Sequence, residues 1–136
     1  RRENEVDLRM RIILTYLRTV FNSWVRYRAR MLVVTRFRVR EEDGDGFRAD
    51  AQLAHETLAA RPGYSSGSLG RNLDDPELWV LVTHWESVGA YRRALSAYDV
   101  KLHAVPLLSR ALDEPSAFEP ADGGTDLNVA TARSLG

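Results

Sequence analysis

The stretch Glu77-Leu-Trp-Val-Leu-Val-Thr-His-Trp-Glu-Ser87 decides the fold. Strand side chains alternate between faces, so Trp79, Leu81, Thr83 and Trp85 share one face and Leu78, Val80, Val82 and His84 the other. The apolar run ends on Trp85, and Glu86-Ser87 opens a helix. Both faces are largely apolar and both need cover, one by helices and the other by a second layer or a second subunit. In a chain of 136 residues that demand points to an obligate dimer.

Upstream, Leu32 to Val39 is β-branched and aromatic-rich, with Val33, Thr35, Phe37 and Val39 on one face and Arg36, Arg38 and Arg40 on the other. Glu41 to Gly46 reads as a turn whose Asp45 caps a helix. Phe47, Ala51, Ala54 and Leu58 form that helix's buried stripe, and Arg61-Pro62-Gly63 stops it. Tyr64 to Leu73 reads as a strand of small residues, and Asp74-Asp75-Pro76 as the hairpin turn before the strand above.

Downstream, a helix is expected from about Ser87 to Ala97, with Val88, Tyr91 and Leu95 on one side. A second helical stretch places Val100, Ala104, Leu107, Leu108 and Ala111 in register, and Pro106 breaks or kinks it. Pro115 to Pro120 supplies one short strand. Strand, helix, strand, strand, helix, strand is the ferredoxin-like split βαβ sandwich, an α+β fold. Its four-stranded antiparallel sheet carries helices on one face, and two open faces packed together close a dimeric α/β barrel.

The division expected is an arginine-rich extension at 1–30, the domain at 31–120 and a disordered tail at 121–136. The first thirty residues hold eight Arg against three acidic residues; the remainder holds eleven basic against sixteen acidic. The extension carries Met10, Ile13, Leu17, Val20 and Trp24 near helical spacing, but arginines interrupt any membrane-length apolar run. It reads as an amphipathic helix on an anionic membrane, as a helix docked on the domain, or as sequence upstream of a start at Met31. Membrane contact is expected only if that extension is genuine. The mildly acidic domain argues against nucleic acid as a partner. The absence of cysteine rules out disulfides, thiolate metal sites and cysteine nucleophiles, and nothing marks an oxidising compartment, so a cytoplasmic location is expected.

From Met31 to Pro120 the sequence resembles the antibiotic biosynthesis monooxygenase (ABM) family of the dimeric α/β-barrel superfamily. The likeness rests on Arg61-Pro-Gly-Tyr64, on the Trp85-Glu-Ser87 strand exit and on Ala97-Tyr-Asp-Val-Lys101. It implies a homodimer and one of two chemistries. One branch oxidises anthrone- or hydroquinone-type polyketides with molecular oxygen and no cofactor, the substrate itself supplying the electrons. The other degrades haem with an Asn on the first strand, a Trp on the second helix and a His on the last. Here Thr35 and Arg36 occupy the first-strand region, Ala94 falls at the Trp position and His103 lies one residue from the His position, so haem degradation is disfavoured.

The resemblance thus makes a small aromatic molecule and molecular oxygen the expected partners, with His103 or His55 assisting proton removal. His103 falls on the Val100–Leu107 stripe and is expected to point inward, either as a pocket base or as a hydrogen-bonded core histidine. His55 flanks the Phe47–Leu58 stripe with the same two readings, and His84 belongs to the opposite, dimer-facing side. Phe37, Trp79, Trp85, Tyr91 and Tyr98 are either walls for a flat ring system or core filling. There is no HExxH, P-loop, dinucleotide fingerprint or metal-spaced ligand set, so no metal or cofactor is expected. The alternative function is a non-catalytic or stress-related ligand-binding dimer with structural histidines.

Overall fold

The computed structural model describes residue 5, residues 7–18 and residues 30–128. Residues 7–18 are helical, with Leu8, Ile12 and Leu14 exposed. Val20 and Trp24 of the expected amphipathic pattern, and the tail beyond 128, lie outside the described residues. No described helix is long and apolar enough to cross a membrane.

The domain runs β1 (Met31–Arg38), α1 (Gly44–Ala59), β2 (Tyr64–Arg71), β3 (Leu78–Trp85), α2 (Val88–Ser96), α3 (Tyr98–His103), α4 (Val105–Leu108) and β4 (Ala117–Phe118). The sheet order is β2-β3-β1-β4 with every pairing antiparallel, which is the ferredoxin-like arrangement. The β1–β3 register pairs Met31 with Trp85, Val33 with Thr83, Thr35 with Leu81 and Phe37 with Trp79. All eight side chains are buried, and they face the helices.

Phe47, Ala51, Ala54 and Leu58 are the buried residues of α1. Phe47 packs between Phe37 (5.1 Å between ring centroids) and Trp79 (5.3 Å). Complete burial of a Leu or Phe side chain stabilises by about 1.5–3 kcal/mol, so this layer is where the fold is held together. The opposite face pairs Leu32 with His84, Val34 with Val82 and Arg36 with Val80, and its apolar residues are only half-buried.

Three local expectations are corrected. Asp45 is not the cap of α1: a 3-10 turn at Glu41–Asp43 runs directly into the helix, so Asp43 holds the cap position and Asp45 falls in the first turn. There its carboxylate still complements the positive end of the helix dipole. On α2, Ala90 and Ala94 are the fully buried residues, and of the expected side Tyr91 and Leu95 pack partly buried against the core whereas Val88 is 48% exposed. Small residues are required because α2 presses on the Arg61-Pro-Gly turn: a Cβ on Gly63 would collide with that of Ala90. Gly63 also has φ +89°, a conformation side-chain-bearing residues rarely adopt.

The third concerns His103. The chain breaks at Ala104 (φ −112°), with Pro106 in the first turn of α4. Val100, Ala104 and Leu107 stay buried, but α3 ends at His103 and leaves its ring exposed.

Candidate functional site

A cavity of about 420 Å³ lies on the helix side of the sheet. Thr35 of β1 forms its floor, Tyr91 of α2 one wall, and Leu108, Ala111, Leu112 and Glu114 the other. The second wall is irregular chain that backbone bonds hold to β1: Leu112 N–H donates to Arg36 O (2.9 Å), and Val34 N–H to Ser116 O (2.7 Å). Arg36 clamps the same segment from the side, its Nε and Nη2 donating to the two carboxylate oxygens of Glu114 at 2.6 and 2.7 Å. Such two-pronged bonding fixes geometry as well as charge. Arg36 holds the Glu114 carboxyl below the usual carboxylate range, by hydrogen bonding first and by charge as well, although desolvation opposes it.

Thr35 is 7% exposed, and its hydroxyl makes no hydrogen bond to another described residue. The Tyr91 hydroxyl likewise has no partner among the described residues, and burial raises its pKa. The phenol therefore stays protonated and able to donate. Two hydroxyls without partners among the described residues, in a cavity whose wall combines Leu108, Ala111 and Leu112 with Ser109, Asp113, Glu114 and Ser116, can bind the oxygen of a guest with one apolar face.

Behind Tyr91 the aromatic packing continues. Trp85, fully buried, lies 5.3 Å from Tyr91 and 5.5 Å edge-on from Tyr64. Its Nε1–H donates to the Thr83 hydroxyl at 2.8 Å. The Tyr64 hydroxyl is 2.7 Å from Nε2 of His55, and burial raises the Tyr64 pKa.

Of the candidate residues, Tyr91 alone lines this cavity. Phe37 and Trp85 are core residues, 1% and 0% exposed. Trp79 borders a different depression with Arg48, Gln52 and Arg71, and the Arg71 guanidinium lies 5.6 Å above its ring. Tyr98 is 76% exposed and is neither wall nor core: α2 stops at Ser96 and Ala97 is extended, so Tyr98 begins a separate helix. His103 borders a shallow surface depression with Leu53, Pro106 and Arg110. His55 faces Tyr64 and does not line the cavity. Among the described residues no three His, Cys, Asp or Glu cluster as metal ligands.

His84 stands on the opposite sheet face, beside a groove of about 650 Å³ with Leu32, Val34 and Phe118. Its Nδ1 is buried without a partner among the described residues. Thr35 is not among the site residues expected from the sequence, nor is the 108–116 wall. A buried Thr among Val33 and Phe37 was the available signal for the first.

Residues 30–103, more than half of the chain, match the antibiotic biosynthesis monooxygenase family. The chain belongs to that family. No protein of curated function matches it. Among solved structures, SnoaB of Streptomyces nogalater, a cofactor-independent oxygenase, is similar at 23% identity and TM-score 0.61, over 72% of this chain and 99% of that one. A conserved protein of Methanosarcina mazei is similar at 20% identity and TM-score 0.57, over 68% and 93%. A Bacteroides thetaiotaomicron protein of unknown function is similar at 10% identity and TM-score 0.59, over 68% and 98%. At these identities the likeness is one of fold, which ABM domains share across different functions.

Proposed function

We propose that this ABM protein is a small cofactor-independent monooxygenase that oxidises an aromatic polyketide- or quinol-type substrate with molecular oxygen. The observation that carries the reading is the pair of hydroxyls, Thr35 and Tyr91, without partners among the described residues, bordering a cavity of mixed lining between sheet and helices in which Leu108, Ala111 and Leu112 form an apolar patch beside Ser109, Asp113, Glu114 and Ser116. A substrate ring lies against Leu108, Ala111 and Leu112, and its carbonyl or phenolic oxygen accepts from the two hydroxyls. As the ring carbon or hydroxyl loses its proton, the growing negative charge on that oxygen is stabilised by donors already in place. The electron-rich anion then reduces dioxygen; one oxygen atom enters the product and the other leaves as water. Since neither His55 nor His103 lines the cavity, the proton leaves through the mouth beside Asp113, an exposed carboxylate there.

The homodimer belongs to the same proposal. Val34, Val80 and Val82 on the open sheet face are half-buried and Phe118 is 48% exposed, a contiguous apolar surface suited to a second copy. The separation of both histidines from the cavity favours the second reading, a ligand-binding dimer without turnover. Incubation with an anthrone under isotopically labelled dioxygen separates the two. Protein-dependent entry of one labelled oxygen atom into the product supports the monooxygenase, and binding with unlabelled, unchanged anthrone supports the binding protein.

A further inference from the structure

A line of aromatic rings joins the cavity to the edge of α1. Tyr91 on the cavity wall packs on Trp85, Trp85 on Tyr64, and Tyr64 is hydrogen-bonded to His55. Ring separations of 5.3 and 5.5 Å are those of direct aromatic contact.

Hydrogen bonding gives the line a direction. One-electron oxidation makes a phenol or indole strongly acidic, so the electron vacancy settles where a base can take the proton. Trp85 Nε1–H donates to the Thr83 hydroxyl, which is 2% exposed and is not a base. The Tyr91 hydroxyl has no partner among the described residues. Of the three rings, Tyr64 alone is hydrogen-bonded to a base among the described residues, the imidazole of His55 at 2.7 Å, within proton-transfer reach. Gly67 keeps the pair against the sheet: a Cβ there would stand 2.6 Å from the Tyr64 hydroxyl and 2.7 Å from His55 Nε2. Both members of the pair are half-buried and within reach of solutes.

We infer that Tyr91, Trp85 and Tyr64 form an exit path that carries one-electron oxidising equivalents from the cavity to the Tyr64–His55 pair. The inference rests on the reading of the cavity as a site of oxygen chemistry. The oxidant is a peroxyl radical, formed when a substrate radical combines with dioxygen without completing the reaction. It takes a hydrogen atom from Tyr91, giving a hydroperoxide and a Tyr91 phenoxyl radical. Trp85 passes an electron to that phenoxyl, which regains a proton from water at the cavity. Tyr64 then reduces the Trp85 radical cation and its proton moves to His55 Nε2. A thiol or ascorbate in solution returns a hydrogen atom to Tyr64, and His55 releases its proton.

The test exposes the full chain, without substrate, to peroxyl radicals from an azo initiator in the presence of a nitroso spin trap, and maps the adducts by peptide mass spectrometry. The expected result is more adduct on Tyr64 than on Tyr98, the far more exposed phenol. Trp85→Phe should lower the Tyr64 adduct several-fold, and His55→Gln, at a half-exposed position that spares the core, should shift adduct to Trp85 and Tyr91. Circular dichroism confirms that each variant is folded. Adducts that follow solvent exposure, or a Tyr64 yield indifferent to His55→Gln, would overturn the inference. As no substrate enters the assay, its outcome is independent of whether the chain turns over an anthrone.

Discussion

His55 on α1 and Tyr64 at the start of β2 are joined by a 2.7 Å hydrogen bond that passes over Gly67. The bond links helix to sheet, and only a residue without a side chain fits beneath it. A Cβ at position 67 would also approach the Val82 carbonyl to 2.8 Å, a backbone atom that cannot swing aside. Gly67→Ala is therefore expected to destabilise the fold by about 1–3 kcal/mol, as overpacking of a filled site does. Urea denaturation measures this. Tyr64→Phe in the same background should recover part of the loss, because it removes the nearer of the two colliding side-chain atoms.

The Arg36–Glu114 clamp makes the cavity wall sensitive to acid. Glu114 is held below its ordinary pKa, so its contribution is complete above the unfolded value, about 4.3 for Glu, and is lost as pH falls through the lower folded value. Hydrogen exchange of the Leu112 and Glu114 amides should quicken across that acidic window beyond the intrinsic pH trend. Glu114→Gln should show the loosened wall at every pH. Equal protection in the variant and the parent would mean that the clamp does not hold the wall.

The open sheet face predicts its own disruption. Val82 lies at its centre, paired across β1 with Val34. Val82→Asp places a charge where a second copy would bury it, and unpaired buried charge is strongly unfavourable. Analytical ultracentrifugation should show a dimer for the parent chain and a monomer for Val82→Asp, with the helix-side core intact by near-ultraviolet circular dichroism.

The two cavity hydroxyls can be removed singly. Tyr91→Phe keeps the ring against Trp85 and deletes one donor; Thr35→Val keeps the shape and deletes the other. Each should leave the thermal midpoint nearly unchanged, since neither hydroxyl has a described protein partner to lose. Each should lower turnover by about 10²-fold, the low end of the loss of one preorganised donor. Steady-state kinetics beside a melting curve separates this from simple damage.

The sheet and the α1 stripe were legible because strict alternation and a 3.6-residue period leave few alternatives. Trp79, Leu81, Thr83 and Trp85 share the buried face that alternation requires, as do Phe47, Ala51, Ala54 and Leu58 on α1. The cavity was not legible, since its second wall is non-periodic chain whose position depends on long-range bonds from Arg36 to Leu112 and Glu114. His103 falls on the Val100–Leu107 stripe by helical period yet stands exposed because α3 ends there and the chain breaks at Ala104, and Tyr98 is exposed at the start of α3 because Ala97 is extended. Aromatic residues at regular spacing marked the core, and hence Phe37 and Trp85, more surely than any pocket.

The most direct measurement is oxygen uptake by the full chain with a panel of anthrones and hydroquinones and no added cofactor. Protein-dependent uptake is expected, stoichiometric with quinone product and strongly reduced in Tyr91→Phe. Uptake equal to the protein-free rate, for an anthrone shown by titration to occupy the cavity, would contradict it.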